Sequence, residues 1–392
     1  MTVRSFLPLL PYAGLLFILP FPGTVALRLL CLAVAFVYTI YAWKRLAVPP
    51  FPLKPALAVW VLVALASLFY AVDPADSLSE IKNELTYTMM AFVAFFVITC
   101  DERRMKWMFL ALVAGAFVLC IWALAARMSL GYWEDSGRYG GRVSFATYLV
   151  AVAPVVVLMG FYFEDLRLRR LSLVLLGLLL VTGFFSLQRI IWIVLLVQAG
   201  LAWFLLWRFK LIHVRFRFIA AVFFGGTILA AGMLIAVQLT RTHEFSTLST
   251  DVRGGFWPAV AGRILETPLT GAGFGRGALS KKHRDLTPPD APYLWHAHNV
   301  FLNYGLAMGV PGILALTLLF AGLIRAYWRF CRGRDPHLRM LGIAGIMLVG
   351  GVVLRNQVND MFLRDQAILF WALNGVLLGL GQRKLLSERA SA

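Results

Sequence analysis

Long apolar runs separated by short polar loops set the pattern of the chain. At about 20 residues per helical crossing of a bilayer, the hydropathy predicts twelve membrane helices. They lie near residues 6–21, 24–43, 55–71, 85–100, 107–126, 143–163, 170–186, 190–207, 218–238, 306–328, 339–355 and 366–381. One interruption is long: residues 239–298 are rich in Gly, Pro, Thr and charge and separate the ninth span from the tenth. The expected architecture is therefore an all-α polytopic membrane protein. Helices 1–9 occupy residues 1–238, one large loop subdomain residues 239–298, and helices 10–12 with a tail residues 299–392.

Composition agrees with the pattern. Of 392 residues, 60% are hydrophobic and 14% charged, where soluble domains carry about 25% charged residues. A soluble enzyme, a disordered chain and a secreted disulfide scaffold are excluded. The four cysteines lie in or beside apolar runs, without metal-ligand spacing, and read as small hydrophobes. The net charge of +18 would suggest nucleic acid in a soluble protein. Here it reflects loops rich in Lys and Arg, and no nucleic-acid partner is expected.

The loop charges alternate. The face that holds both termini and the loops after even-numbered spans carries 22 basic and 6 acidic residues; the other carries 14 and 13. Arg28 lies inside the second span. This asymmetry places both termini in the cytoplasm and the long loop outside. The first span resembles a signal peptide, whose removal would leave the sides of the other spans unchanged. No cytoplasmic segment is long enough for an ATPase or nucleotide-sugar domain, and no Walker sequence is present.

Candidate chemistry gathers on the outer face. Ser249-Thr250-Asp251 offers an N-cap, Phe256, Trp257, Val260 and Ile264 recur at helical spacing, and Thr267-Pro268 is a stop. These predict an amphipathic helix over 251–266 at the outer membrane surface, carrying Arg253 and Arg263 about 15 Å apart. Each arginine either snorkels to the interface or meets a phosphate. The Gly271-Ala272-Gly273-Phe274-Gly275-Arg276-Gly277 run reads as a flexible loop or one packing on a phosphate or glycan. Arg189 is the notable charge in the apolar stretch 171–207, at a tight outer hairpin. There it snorkels to headgroups or binds a phosphorylated lipid. In His296-Ala297-His298-Asn299, His-x-His lacks further metal ligands, so no metal is expected. An imidazole at the surface suits general-base work near pH 7. The last outer loop brings Arg355, Asn356, Asp360, Arg364 and Asp365. It reads as a solvated turn, or as a carboxylate, Asp360, that orients an imidazole or receives a hydroxyl.

His298-Asn299, nine residues and then Gly309-Val310-Pro311-Gly312 resemble the His-Asn/Ser/Gln, Gly-x-x-Gly pattern of bacterial O-antigen ligases. Arg189 in its hairpin, Arg253 with Trp257 before Pro268-Leu269-Thr270-Gly271-Ala272-Gly273, and Asp360 before a final span are similar to that family's landmarks in order. The resemblance covers about residues 180–380. Gln188 departs from the Ser common before the hairpin arginine.

The resemblance implies a GT-C-like, metal-independent, inverting glycosyltransferase without a cofactor. It would move an O-antigen glycan from undecaprenyl diphosphate to a sugar hydroxyl of lipid A–core, at the periplasmic face of the bacterial inner membrane. His298 would be the base, with Arg189 and Arg253 on the diphosphate and Arg263 behind them. Asn299 and Asp360 would orient the base or meet the acceptor. The rival readings are an O-antigen polymerase using the same donor, a protein O-oligosaccharyltransferase, and a secondary transporter. A transporter would need an ion site near the midplane, whereas the candidates lie on one face.

Overall fold

The computed structural model describes residues 7–131, 133, 141–212, 225, 228, 231–232, 235, 253–287, 294–358, 360 and 364–391. Those residues are helical, with no strand among them. In chain order the helices are α1 (Leu10–Ile18), α2 (Val25–Ala42), α3 (Lys54–Ala66), α4 (Pro74–Glu80), α5 (Tyr87–Ile98), α6 (Glu102–Leu130) and α7 (Gly141–Tyr162). They continue as α8 (Leu166–Phe185), α9 (Arg189–Arg208), α10 (Arg253–Glu266), α11 (Ala278–Lys282), α12 (Val300–Cys331), α13 (Pro336–Arg355) and α14 (Arg364–Ala390). A π turn over Ile81–Thr86 joins α4 to α5 in one continuous rod. Among the described residues, eight helices are long and apolar enough to cross a membrane, as in a polytopic membrane protein. The expected spans at 6–21 and 55–71 appear as shorter apolar helices. The span expected at 218–238 and the loop residues 239–252 fall largely or wholly outside the described residues.

Local chemistry sets the helix ends. Asp101, Asp165 and Asp335 each accept a hydrogen bond from a backbone N–H of the first turn that follows, capping α6, α8 and α13. They are half of the six acidic residues on the basic-rich face. Arg383 does the reverse job. Its guanidinium donates to the carbonyls of Phe96, Val97 and Thr99, at 3.1 to 3.3 Å, satisfying the C-terminal end of α5.

The centre of the bundle is α14. It is buried from Ala367 through Gln382, and α5 packs along it. Gly375 and Gly379 permit that approach: a Cβ at either would meet the backbone oxygen of Phe92 at 2.7 Å or of Phe96 at 2.3 Å. Because protein surrounds α14, it carries Asn374, whose side chain accepts from the Tyr327 hydroxyl at 2.7 Å. Gln198 of α9 donates to Val150 O of α7 and Met347 O of α13, both at 3.0 Å, and ties three helices together at mid-length. Arg28 is also buried. It pairs with Asp365 at the start of α14 and donates to Thr24 and Phe21 O.

A kink in α12 positions the site. Gly309 has φ 68° and ψ −163°, breaking the helix, and Pro311 follows with no N–H to give. The Pro268–Gly273 segment fills the break. Val310 N–H donates to Pro268 O at 2.7 Å, while Ala272 and Gly273 N–H donate to Leu306 O and Ala307 O at 2.9 and 3.0 Å. A Cβ at Gly271 would lie 2.3 Å from Ala307, so only glycine allows the contact. The glycine run is thus not a loose loop; it is packed on protein from Gly271 to Phe274.

Candidate functional site

Asn299 is the N-cap of α12. Its side-chain oxygen accepts from Phe301 and Leu302 N–H at 2.9 and 3.2 Å, and its amide donates to Gln357 O at 3.1 Å. Val300 N–H donates to Asn356 O at 3.0 Å. The cap therefore docks on the loop after α13. His298, one residue earlier, has φ 51°. This left-handed conformation is uncommon for a side chain with a Cβ and is enriched at functional sites. It turns the backbone so that the half-buried His298 ring lies over buried His296, with centroids 3.8 Å apart and planes 30° apart.

Three further elements hold this turn. Trp257 of α10 donates its indole N–H to Ala297 O at 2.9 Å. Asn303 of α12 accepts from Ala297 N–H at 2.9 Å and donates to Asp360 Oδ2 at 2.6 Å. Arg276, at the end of the glycine run, spans Asp360 and His296. It donates to Asp360 O, its Nε stands 3.6 Å from Asp360 Oδ2, and one terminal nitrogen lies 3.1 Å from His296 Nε2. The His298 N–H points at His296 Nδ1 from 3.1 Å. A neutral imidazole has one acceptor nitrogen, so His296 satisfies one of these donors at a time. Trp295 covers the Arg276 guanidinium, 5.1 Å from ring centroid to charge.

The amphipathic helix forms over Arg253–Glu266, close to the expected 251–266. Phe256, Val260 and Ile264 are buried against Leu302, Leu306, Val310 and Ile313 of α12. The face drawn from the sequence as membrane-directed is taken up by protein, which fixes Trp257 over the turn. Arg253 is the first residue of the helix. Arg263 is paired with Glu266 and Asp285 on the solvent side of α10, and these hydrogen bonds hold its pKa above the ordinary value. Its charge is already matched.

Arg189 is the first residue of α9, after a three-residue link from α8. Its Nε is buried and has no hydrogen-bond partner among the described residues. Gln188 makes no side-chain cap, so the first N–H groups of α9 remain open beside it. Gln198 touches Met347, and from that level Arg189 lies nine residues and Arg355 eight residues toward the same end. At 1.5 Å rise per residue, both stand about 12–14 Å above it, at the level of the loop that receives α12. Arg355 is buried, with Nη2 3.5 Å from Val143 O.

The structure brings His298, Asn299 and Asp360 together. Asp360 sits among buried partners, only 3% exposed, rather than in a solvated turn. Its carboxylate engages Asn303 and Arg276. Four residues escaped the sequence reading of the site. The sequence presents His296 only as part of a His-x-His pair and Arg276 only as the charge within the glycine run. Asn303 and Glu84 were not singled out. Glu84 enters through the π turn, a device frequent at functional sites. It lines a small cavity with Arg276, Asn303, Tyr304 and Asp360. A carboxylate at the edge of an apolar run was the available signal; Arg276, which lines the same cavity from 192 positions away, left none.

No curated protein matches the chain. Residues 174–317 match the profile of the O-antigen ligase family, a stretch that contains Arg189, Arg253, Arg276, both histidines and the Gly309–Gly312 kink. It leaves out Glu84 and Asp360, which the fold supplies. The His298 motif and this match point the same way: residues 174–317 are similar to the O-antigen ligase family, within the superfamily of O-antigen ligases and polymerases.

Proposed function

We propose that this protein is an O-antigen ligase of the bacterial inner membrane. It transfers the glycan of an undecaprenyl-diphosphate donor to a sugar hydroxyl of lipid A–core. In this reading the chain crosses the membrane twelve times in a GT-C-like arrangement, with both termini cytoplasmic and the His298 end periplasmic. The observation that carries the reading is the His298 turn, an imidazole in a left-handed conformation held by α10, α12, the glycine run and the Asp360 loop.

The chemistry follows from that turn. The acceptor hydroxyl attacks the anomeric carbon, the carbon–oxygen bond to the diphosphate breaks, and the bond's electron pair leaves with the phosphate. His298 takes the hydroxyl proton, a role worth about 10²–10⁴-fold. Attack from the face opposite the leaving group inverts the anomeric centre. Charge develops on the diphosphate, and stabilising it is the larger need. Arg189 supports this role with a guanidinium Nε that has no hydrogen-bond partner among the described residues and with the open N-terminus of α9 behind it. Arg253 opens α10 and is the second candidate for the phosphates. Arg263, with two carboxylate partners, is the weakest of the three.

The test is transfer by purified protein from lipid-linked O-antigen to lipid A–core, without ATP and with EDTA, comparing wild type with His298→Ala. High-mass lipopolysaccharide from wild type alone is expected. Longer lipid-linked glycan with no transfer to core would replace ligase with polymerase. No product of either kind from folded protein would overturn glycosyl transfer.

A further inference from the structure

The end of the bundle opposite His298 carries a groove that the transfer reaction leaves unused. It runs between α3 and α12 with a volume of about 400 Å³, over Leu53, Ala56, Val59, Leu318 and Gly322. Small residues open it. A Cβ at Gly322 would stand 3.3 Å from Leu53 Cδ2, so a larger side chain there would fill the floor. Val59, Leu62, Leu314 and Leu318 are exposed around it, so the groove opens toward lipid.

Its far end is basic. Arg325 and Arg329, one helical turn apart, line the mouth. Arg329 also lines a second cavity, of about 370 Å³, shared with Arg332, Arg334 and Arg389. The carboxylate in that lining, Glu388, accepts from the backbone N–H groups of Arg334 and Asp335. None of the five arginines has an ion-pair partner among the described residues. The Arg332 guanidinium stands over the Trp328 ring, 5.9 Å from charge to centroid, which helps to pre-set it.

An apolar channel that ends in unpaired guanidinium groups at the membrane surface has the polarity of one ligand class. We infer that the groove and crevice together bind an anionic phospholipid of the leaflet away from His298. One acyl chain lies along the α3–α12 groove, and the phosphate meets Arg325, Arg329 and Arg332. Guanidinium groups take phosphate oxygens bidentately, and basic pockets between membrane helices at the cytoplasmic surface bind anionic headgroups. A soluble anion would use the arginines and leave the groove empty; an uncharged lipid would use the groove and leave the arginines unmatched.

Native mass spectrometry of the detergent-purified full chain, titrated with phosphatidylglycerol or phosphatidylcholine, tests this. Wild type is expected to retain phosphatidylglycerol several-fold more than phosphatidylcholine. The exposed triple variant R325Q/R329Q/R332Q is expected to bind phosphatidylglycerol about tenfold more weakly, with phosphatidylcholine unchanged. Gly322→Leu is expected to weaken both lipids. Equal retention of the two lipids by wild type, or unchanged phosphatidylglycerol binding by the triple variant, overturns the proposal. So does complete displacement of the lipid by soluble glycerol phosphate, which would make the crevice an anion site alone. The arginine variants change surface side chains only, so the decision does not hang on whether Gly322→Leu folds.

Discussion

The two ends of the bundle are both rich in charge, yet they use it differently. At the end where α13 begins, outside the arginine crevice at the foot of α12, the groups satisfy one another. Glu102 accepts from the Tyr162 hydroxyl at 2.8 Å and pairs with Lys384 at 2.7 Å, and Lys384 reaches Asp335 at 3.2 Å. Three aspartates cap helices, and Arg383 closes α5. At the His298 end the matching is incomplete. Arg189 keeps a buried Nε without a hydrogen-bond partner among the described residues, and His298 holds a left-handed backbone. A charge network that closes on itself builds a fold. One that stops short presents groups to something outside the protein.

The comparison is broken most sharply at His298. His298→Ala is expected to lower transfer by about 10²–10⁴-fold with unchanged protein level and melting temperature; retention of full activity would remove the base. Arg189→Ala comes next, with an expected loss of about 10²–10³-fold. Arg189→Lys should recover a minor part, because an ammonium keeps the charge without the planar fork. Single-turnover rates with saturating donor separate these from weaker donor binding.

Stability tests follow. Asp360→Ala leaves Arg276, its side chain 18% exposed, without its carboxylate. The expected cost is about 3–5 kcal/mol, read as an earlier thermal transition in detergent. Glu102→Ala at the opposite end acts on a pair whose acid is 42% exposed, where solvent screens the interaction. It should cost about 1 kcal/mol or less. Arg263→Ala should change transfer by less than about twofold, since the ion pairs it loses are surface pairs. A large loss would move Arg263 into the site.

The smallest effect is a pH dependence contributed by one cap at each end. The Asp76 N–H holds Asp73 below the ordinary carboxylate range, and the Arg167 N–H does the same for Asp165. A depressed folded-state pKa contributes stability above the unfolded value and loses it as pH falls through the folded one. Both contributions should therefore fade below about pH 4. Asp73→Asn with Asp165→Asn should flatten the acid limb of the melting-temperature profile. An unchanged limb would assign acid sensitivity elsewhere.

Much of this was legible in the residues. Apolar run length marks most of the helices, because a bilayer demands about 20 apolar residues per crossing whatever the packing. The spacing of Phe256, Val260 and Ile264 marks α10, because a helix places such residues on one face. His298 and Arg189 stand out because charge and imidazole are rare where they sit. Other features were not legible. The apolar face of α10 could have met lipid as readily as α12. Gly271 and Gly309 look like sources of mobility until the contacts of 2.3 and 2.5 Å their Cβ atoms would make are measured. Arg383 counts as one more positive charge in a tail until its guanidinium is found on the carbonyls of α5.

The sequence by itself determined what is local: which stretches are apolar enough to enter a membrane, which loops are basic, and where an amphipathic helix lies. Each depends on residues within one or two turns of each other and on a solvent that treats all chains alike. Only the tertiary structure decided that Glu84, Arg276, His296, Asn303 and Asp360 share one buried cluster. Those side chains come from segments far apart in the chain. Their meeting depends on how helices cross and where α12 breaks, and a contact between distant residues leaves no trace in the neighbours of either.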